Sequence, residues 1–396
     1  METPSLIKVE RKGGNMVSKG KMWPAEWKQY KDRFSGVNIT QLTNYTGHSH
    51  HLYFTENGWY ADNSKIVFCS DRGNKTNLFS VDLISGEITQ LTNHQQTYES
   101  LSACIHPDGN YVYFRKSNQI IELNLQTFIE KTLYEGPINA VGGNVNCTAD
   151  GKYIITTFQE DFSDKFQIDL GNGYIGHREL MEAKPKAQIL QISIETGDVK
   201  LVHEDYNFIT HINTSPTLPN IITFCHEGPW DLVDHRIWGL DMHTGKVWKI
   251  RHRIEESEKV GHEYWYPDGV HIGYHGFRES GTAFFGKIRY DNESMEEEEF
   301  AFRNWHAHSH GFSKVAVDGR SPHDKIIIWQ QGENGFSKPK ILCEHRCSFH
   351  VQKVHAHPRF SPDGNQLLFT SDKDGYGNLY LVDVPDHIHY LPDYKF

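Results

Sequence analysis

The stretch FSPDGNQLLFTSDKDGYGNLYLVDV, Phe360 to Val384, decides the fold. It holds a Pro-Asp-Gly turn, an apolar run, a polar turn and a second apolar run, and it recurs along the chain. Other copies are IHPDGNYVYF from Ile105, CTADGKYIITTF from Cys147 and WYPDGVHIGYHGF from Trp265. Diverged copies start at Tyr60, Leu218 and Val317. Within a unit, runs such as Asn77 to Leu83 alternate in period two, and Asp-Gly, Ser-Gly or Thr-Gly turns separate them. Seven units at about 40–50 residues each match a four-stranded blade. One blade cannot bury both of its faces, but seven packed radially can. The reading is an all-β, seven-bladed β-propeller, with no long amphipathic helix between Trp23 and Tyr390.

A ring also has to be closed. The early run Val37 to Thr43 (VNITQLT) echoes the outer-strand run Glu87 to Thr92 (EITQLT). It is expected to complete the last blade and tie the two ends of the chain together. Residues 1–22 are polar and basic and read as a loose tail, leaving residues 23–396 as one propeller domain. Residues 159–186 break the period and read as an insertion from one face, either a lid over the central mouth or a solvated loop.

Composition narrows the function. The 396 residues carry 40 Lys+Arg against 51 Asp+Glu, a formal net charge of −11. Such a chain lacks the basic footprint of a nucleic-acid or anionic-membrane binder. The sequence has no apolar run of membrane-spanning length and no secretory leader, so a cytoplasmic location is expected. Six scattered cysteines read as reduced, mostly buried thiols, and Cys343 and Cys347 are too isolated for a zinc signature.

The 25 histidines are unevenly placed. VQKVHAHPRF puts His355 and His357 two apart where an innermost strand is expected, which would aim both at one face. Gln352 at the strand entry adds an oxygen. The spacing suits a metal, and it equally suits two ring-edge histidines that only hydrogen-bond. WHAHSHG, one blade earlier, offers His306, His308 or His310 to the same channel. Three His and one amide oxygen leave open positions and fit Mn²⁺, Ni²⁺ or Zn²⁺. No His-Glu-x-x-His motif occurs, which excludes a zincin protease. FCHEGPWDLVDHRIW with GHEYWYPDG supplies His226, Glu227, Asp231, Asp234, Arg236 and His262. The three carboxylates suit a glycosidase, though loop ion pairs are their more ordinary use.

FCHEGPWDLVDHRIW, HEYWYPDG and Q-x-x-H-x-H-P before FSPDG resemble the oligogalacturonate lyases, propeller enzymes of pectin breakdown. The likeness runs from about Lys19 to Asp386. It is most specific over Phe224–Gly269 and Gln352–Asp372. The resemblance implies a divalent metal, typically Mn²⁺, on Gln352, His355, His357 and a third His, with His306 fitting best and His308 next. It implies His262 as the base, Arg236 as the catalytic arginine and His226 on the substrate side. The implied reaction is β-elimination on a short oligogalacturonate such as di- or trigalacturonate, giving 4,5-unsaturated uronate products. Arg178 on the insertion would add local positive charge, and His50, with His48 and His51, would touch substrate in the first blade. That histidine cluster departs from the family pattern and keeps open another uronate, such as an ulvan fragment. A TolB-like protein-binding scaffold is the non-enzymatic alternative.

Overall fold

In a computed structural model of the chain, the structure describes residues 19–98, 101–171, 173–319 and 324–395. Seven antiparallel sheets follow one another around a ring. The first blade runs inside to outside through strands 49–51, 65–70, 77–82 and 88–90. The next four run through 103–135, 140–205, 209–249 and 259–300, each with four strands in chain order. The sixth uses 307–309, 314–317, 325–332 and 340–344.

The seventh blade is built from both ends of the chain. Strands 359–360, 366–371 and 378–383 are completed by 38–41, with Ile39 opposite Val382, and by an outermost strand at 28–31. The expected closure by the Val37–Thr43 run is therefore present. Ile39, Val382, Leu367 and Phe369 share one buried cluster. An ion pair from Arg33 to Glu344, at 2.7 Å, ties the N-terminal hairpin to the outer strand of the sixth blade.

Alternate side chains of one strand serve two neighbours. Val67 and Cys69 pack with Leu101, Val112 and Phe114 of the second blade. Ile66 and Phe68, on the other face, pack with Leu368, Leu379 and Leu381 of the seventh. Both faces are covered, so the strand Lys65–Ser70 is nearly continuously buried instead of alternating in and out. Each fully buried Phe or Ile contributes roughly 1.5–3 kcal/mol of apolar burial.

Two boundaries differ from the sequence reading. Of the expected tail 1–22, residues 1–18 lie outside the described residues. Met22 pairs with Thr89 at the outer edge of the first blade, and Lys19 forms an ion pair with Glu130. The unit read from Val317 starts one hairpin late. Residues Lys314–Val317 are the second strand of the sixth blade, and Asp318 leads toward the third. All six cysteines are free, and five are buried. No helix among the described residues is long and apolar enough to cross a membrane.

Candidate functional site

The innermost strands share a repeated device. Ser102, Asn144, His211, His262 and His357 each stand five residues before the Pro or Ala that opens the following turn (Pro107, Ala149, Pro216, Pro267, Pro362). All five line one central cavity of about 350 Å³. In the third, fourth and fifth blades the strand bulges at this position. His211, His262 and His357 take left-handed φ values of 49°, 53° and 46°. A non-glycine residue pays about 1 kcal/mol or more for that conformation. The surrounding sheets hold it, and the extra residue turns an imidazole toward the axis.

His306 and His357 line that cavity, and His355 converges on them beside it. Their nitrogens all lie within 4.8 Å of one another, and all three residues are buried. Ring centroids of His306 and His357 are 4.1 Å apart. The two from VQKVHAHPRF do not arrive on a strand, as their spacing had suggested. Gln352–Val354 is a short 3-10 turn, His355 is extended, and His357 is left-handed. The pair meets because that turn and the reversed φ together redirect the chain. Gln352 lines the same cavity and meets the Tyr174 phenol from the insertion.

The run 306–310 is separated by its partners. The His306 Nδ1 sits 2.6 Å from the buried Asp318 carboxylate, which also accepts the His306 backbone N–H at 2.9 Å. That fixes the Nδ1–H tautomer and leaves Nε2 to face the cavity. His308 instead stacks on Tyr264 at 4.6 Å and accepts the Phe360 N–H through Nδ1, while His310 bonds the Pro362 carbonyl. Only His306 of the three lines the cavity.

His262 faces His306 with centroids 4.8 Å apart. Burial, with His306, His275, His211 and Arg236 nearby, holds its pKa well below the usual imidazole value. Its Nδ1 lies 3.1 Å from His275 Nε2, and His275 also bonds the Trp305 carbonyl. A neutral His275 that donates to a carbonyl through one nitrogen must accept through the other. His262 therefore donates through Nδ1–H, and its Nε2 carries the lone pair. Arg236 is buried against His262's strand, 2.8 Å from Glu227 and 3.4 Å from Glu263.

Two residues expected on the substrate side are elsewhere. His226 does not line the cavity: Asp234 takes its Nδ1 at 2.8 Å and Asp205 its Nε2 at 3.1 Å. Those carboxylates raise its pKa against the opposing effect of burial. Arg178 points outward and is spent on Asp231 at 2.7 Å. Asp234 and Asp231 are thus ion-pair partners, not a glycosidase couple. His50 does line the cavity, and its buried Nε2 has no hydrogen-bond partner among the described residues. Leu170, Gly171, Tyr174 and His177 bring the insertion over the same cavity.

The site also includes residues that the sequence reading passed over: His211, Tyr53, Glu56 and Trp305 line it. The place of His211 was readable from its offset to Pro216, but that turn lacks the Asp-Gly that marks the other copies. His211, Cys225 and Glu227 also form a compact donor group. Arg236 already neutralises Glu227, and burial pushes the Cys225 thiol well up, so this group does not suit a cation.

A family model described as oligogalacturonate lyase matches residues 17–314. The chain belongs to the oligogalacturonate lyase family. The oligogalacturonide lyase of Pectobacterium atrosepticum is 26% identical over 94% of this chain and 100% of its own length. The oligogalacturonate lyase of Dickeya dadantii is 25% identical with the same coverage. A solved oligogalacturonate lyase in complex with manganese superposes with a TM-score of 0.85 at 25% identity, over 93% of this chain and 99% of that one. A Vibrio parahaemolyticus structure, 23% identical with a TM-score of 0.83 over 94% and 100% of the two chains, shares the fold. Gln352, His355 and His357 fall after the last residue matched by the family model, within the stretch of the chain that the two curated relatives span at 94% coverage.

The donor set suits a divalent cation. The His357 Nε2 is buried with no hydrogen-bond partner among the described residues. The Asp318–His306 pair has the carboxylate–histidine form common at metal sites.

Proposed function

We propose that this protein cleaves short oligogalacturonates, such as di- and trigalacturonate, by β-elimination to 4,5-unsaturated products in the cytoplasm. It would use a divalent metal, best Mn²⁺, held by His306, His355, His357 and Gln352. The observation that carries this reading is the convergence of three buried imidazoles with a fourth, His262, whose free lone pair faces the same cavity.

The C5 proton of a 4-linked uronate is weakly acidic because it lies α to a carboxylate. When bound, the metal would supply Lewis-acid stabilisation of the negative charge that develops on that carboxylate. His262, kept neutral by burial and by Arg236 nearby, takes the C5 proton at Nε2. His275 holds the imidazole in that tautomer through its Nδ1. Arg236 lies behind His262, its guanidinium oriented by Glu227 and Glu263. Tyr174 and His177 roof the cavity and restrict water.

The division of labour is testable. His355→Ala should lose both metal and turnover. His262→Ala should keep its metal and lose turnover by at least about 10²-fold, the size of a general-base contribution. A His355→Ala protein with full metal occupancy, or a His262→Ala protein that still turns over, would overturn the assignment.

A further inference from the structure

A second concavity of about 540 Å³ adjoins the central cavity. Tyr174, His177, Glu227, His262 and Trp305 line both, so the two are continuous along that wall. Beyond it stand Trp230, Phe277, Lys259 and Arg303. The volume lies within the range of roughly 300–1,000 Å³ usual for small-ligand sites.

The charge distribution here is unusual for this chain. The Arg303 guanidinium sits 3.9 Å from the Phe277 ring centroid, and Lys259 Nζ sits 5.2 Å from the same centroid. Neither side chain forms an ion pair or hydrogen bond among the described residues. Acids outnumber bases in the sequence, and Arg236 in the same wall is clamped by two carboxylates. Two cationic heads are thus gathered on one aromatic ring without an ion-pair partner among the described residues; the exposed Asp231 carboxylate acts on Lys259 at longer range and is itself held by Arg178. Trp230 presents an exposed indole on the same side, and Trp305 lines the passage to the metal-binding histidines. Aromatic faces take the apolar C–H face of a sugar, and unpaired cations take a carboxylate.

We infer that this second cavity is a subsite for a neighbouring uronate of the same oligomer, with its carboxylate held by Lys259 and Arg303. The inference rests on the lyase reading and deepens it: the enzyme selects chains in which an adjoining residue is also an unesterified uronate. The competing account of the two cations is a solvated cation–π pair on Phe277, indifferent to substrate.

The test is the double variant Lys259→Met/Arg303→Met in the full-length, Mn²⁺-loaded protein. Binding is read by calorimetry in a His262→Ala background, with trigalacturonate and the neutral galactotriose as probes. Turnover is read in the otherwise unaltered enzyme. Loss of two charge-assisted contacts should weaken trigalacturonate about tenfold or more and raise KM similarly, with kcat within about twofold. Galactotriose binding should not distinguish the variant from its parent, and melting temperature should not move, since both side chains are solvent-accessible. Trigalacturonate affinity and KM within about twofold of the parent would overturn the subsite. So would an absence of trigalacturonate binding in the His262→Ala parent. A wild-type protein that binds trigalacturonate through the pair but forms no unsaturated product would instead sink the lyase reading alone.

Discussion

Asp318→Asn tests how the geometry of the proposed metal site is enforced. Asp318 is fully buried, with one oxygen 2.6 Å from His306 Nδ1 and the other accepting the His306 backbone N–H at 2.9 Å. Both contacts need an acceptor. A carboxamide has one acceptor and one donor end, so either orientation leaves a mismatch. With its nitrogen toward Nδ1, it forces the His306 proton onto Nε2 and blocks ligation. With its nitrogen toward the backbone, it sets two donors against each other. Burial, opposed in part by the His306 backbone N–H and by His345 and His355 nearby, raises the Asp318 carboxyl to a pKa of about 7. A cation on the far side of the imidazole opposes that rise and favours the ionised form. Loss of such an orienting partner costs about 10–100-fold in metal affinity, or roughly 1.4–2.7 kcal/mol. Calorimetric titration of metal-stripped wild type and Asp318→Asn with Mn²⁺ reads this directly. A variant dissociation constant within about twofold of wild type would refute the tautomer argument.

Other expectations concern the frame. Glu344, held by Arg33, Lys325 and Arg346 where the N-terminal hairpin meets the sixth blade, has its pKa lowered from 4.5 to about 2. Its contribution is fully present above the unfolded value and disappears as pH falls from about 4.5 toward 2, an effect of about 1–2 kcal/mol once the exposed Arg33 and Arg346 are discounted. Denaturation of wild type and Glu344→Gln should show a stability gap that closes across this window, and a gap independent of pH would contradict the role of these ion pairs. His226, raised by Asp205 and Asp234, should behave oppositely. Its contribution is whole below about 6.5 and is lost as pH rises through the elevated folded value. His226→Gln should therefore destabilise the protein by about 1–3 kcal/mol at mildly acidic pH, converge with wild type at alkaline pH, and leave KM nearly unchanged. A large change in KM with unaltered stability would restore His226 to the substrate side.

The ring was legible because its physics is repetitive: each blade must turn after its inner strand, and Pro-Asp-Gly or a relative marks the place. Blade closure was legible because Val37–Thr43 and Glu87–Thr92 obey the same outer-strand pattern. The candidate site was legible in part. His355 and His357 stood out as a pair, yet they meet through a 3-10 turn and a left-handed residue, and period-two spacing knows nothing of either. From the residues alone His306 could not be told from His308, because the difference lies in the contact of His306 with Asp318, twelve residues on. His226 and Arg178 looked available because their partners, Asp205 and Asp231, come from distant or separately read segments. His211 shared the register of His262 and His357 and was hidden only by a turn without Asp-Gly.

The central claim is tested most directly by incubating the purified protein with digalacturonate and following the ultraviolet absorbance of the conjugated 4,5-unsaturated uronate. EDTA should abolish the signal and added Mn²⁺ should restore it. Absorbance that rises equally in EDTA would contradict the metal assignment. No rise on di- or trigalacturonate with Mn²⁺ supplied would contradict the lyase reading itself.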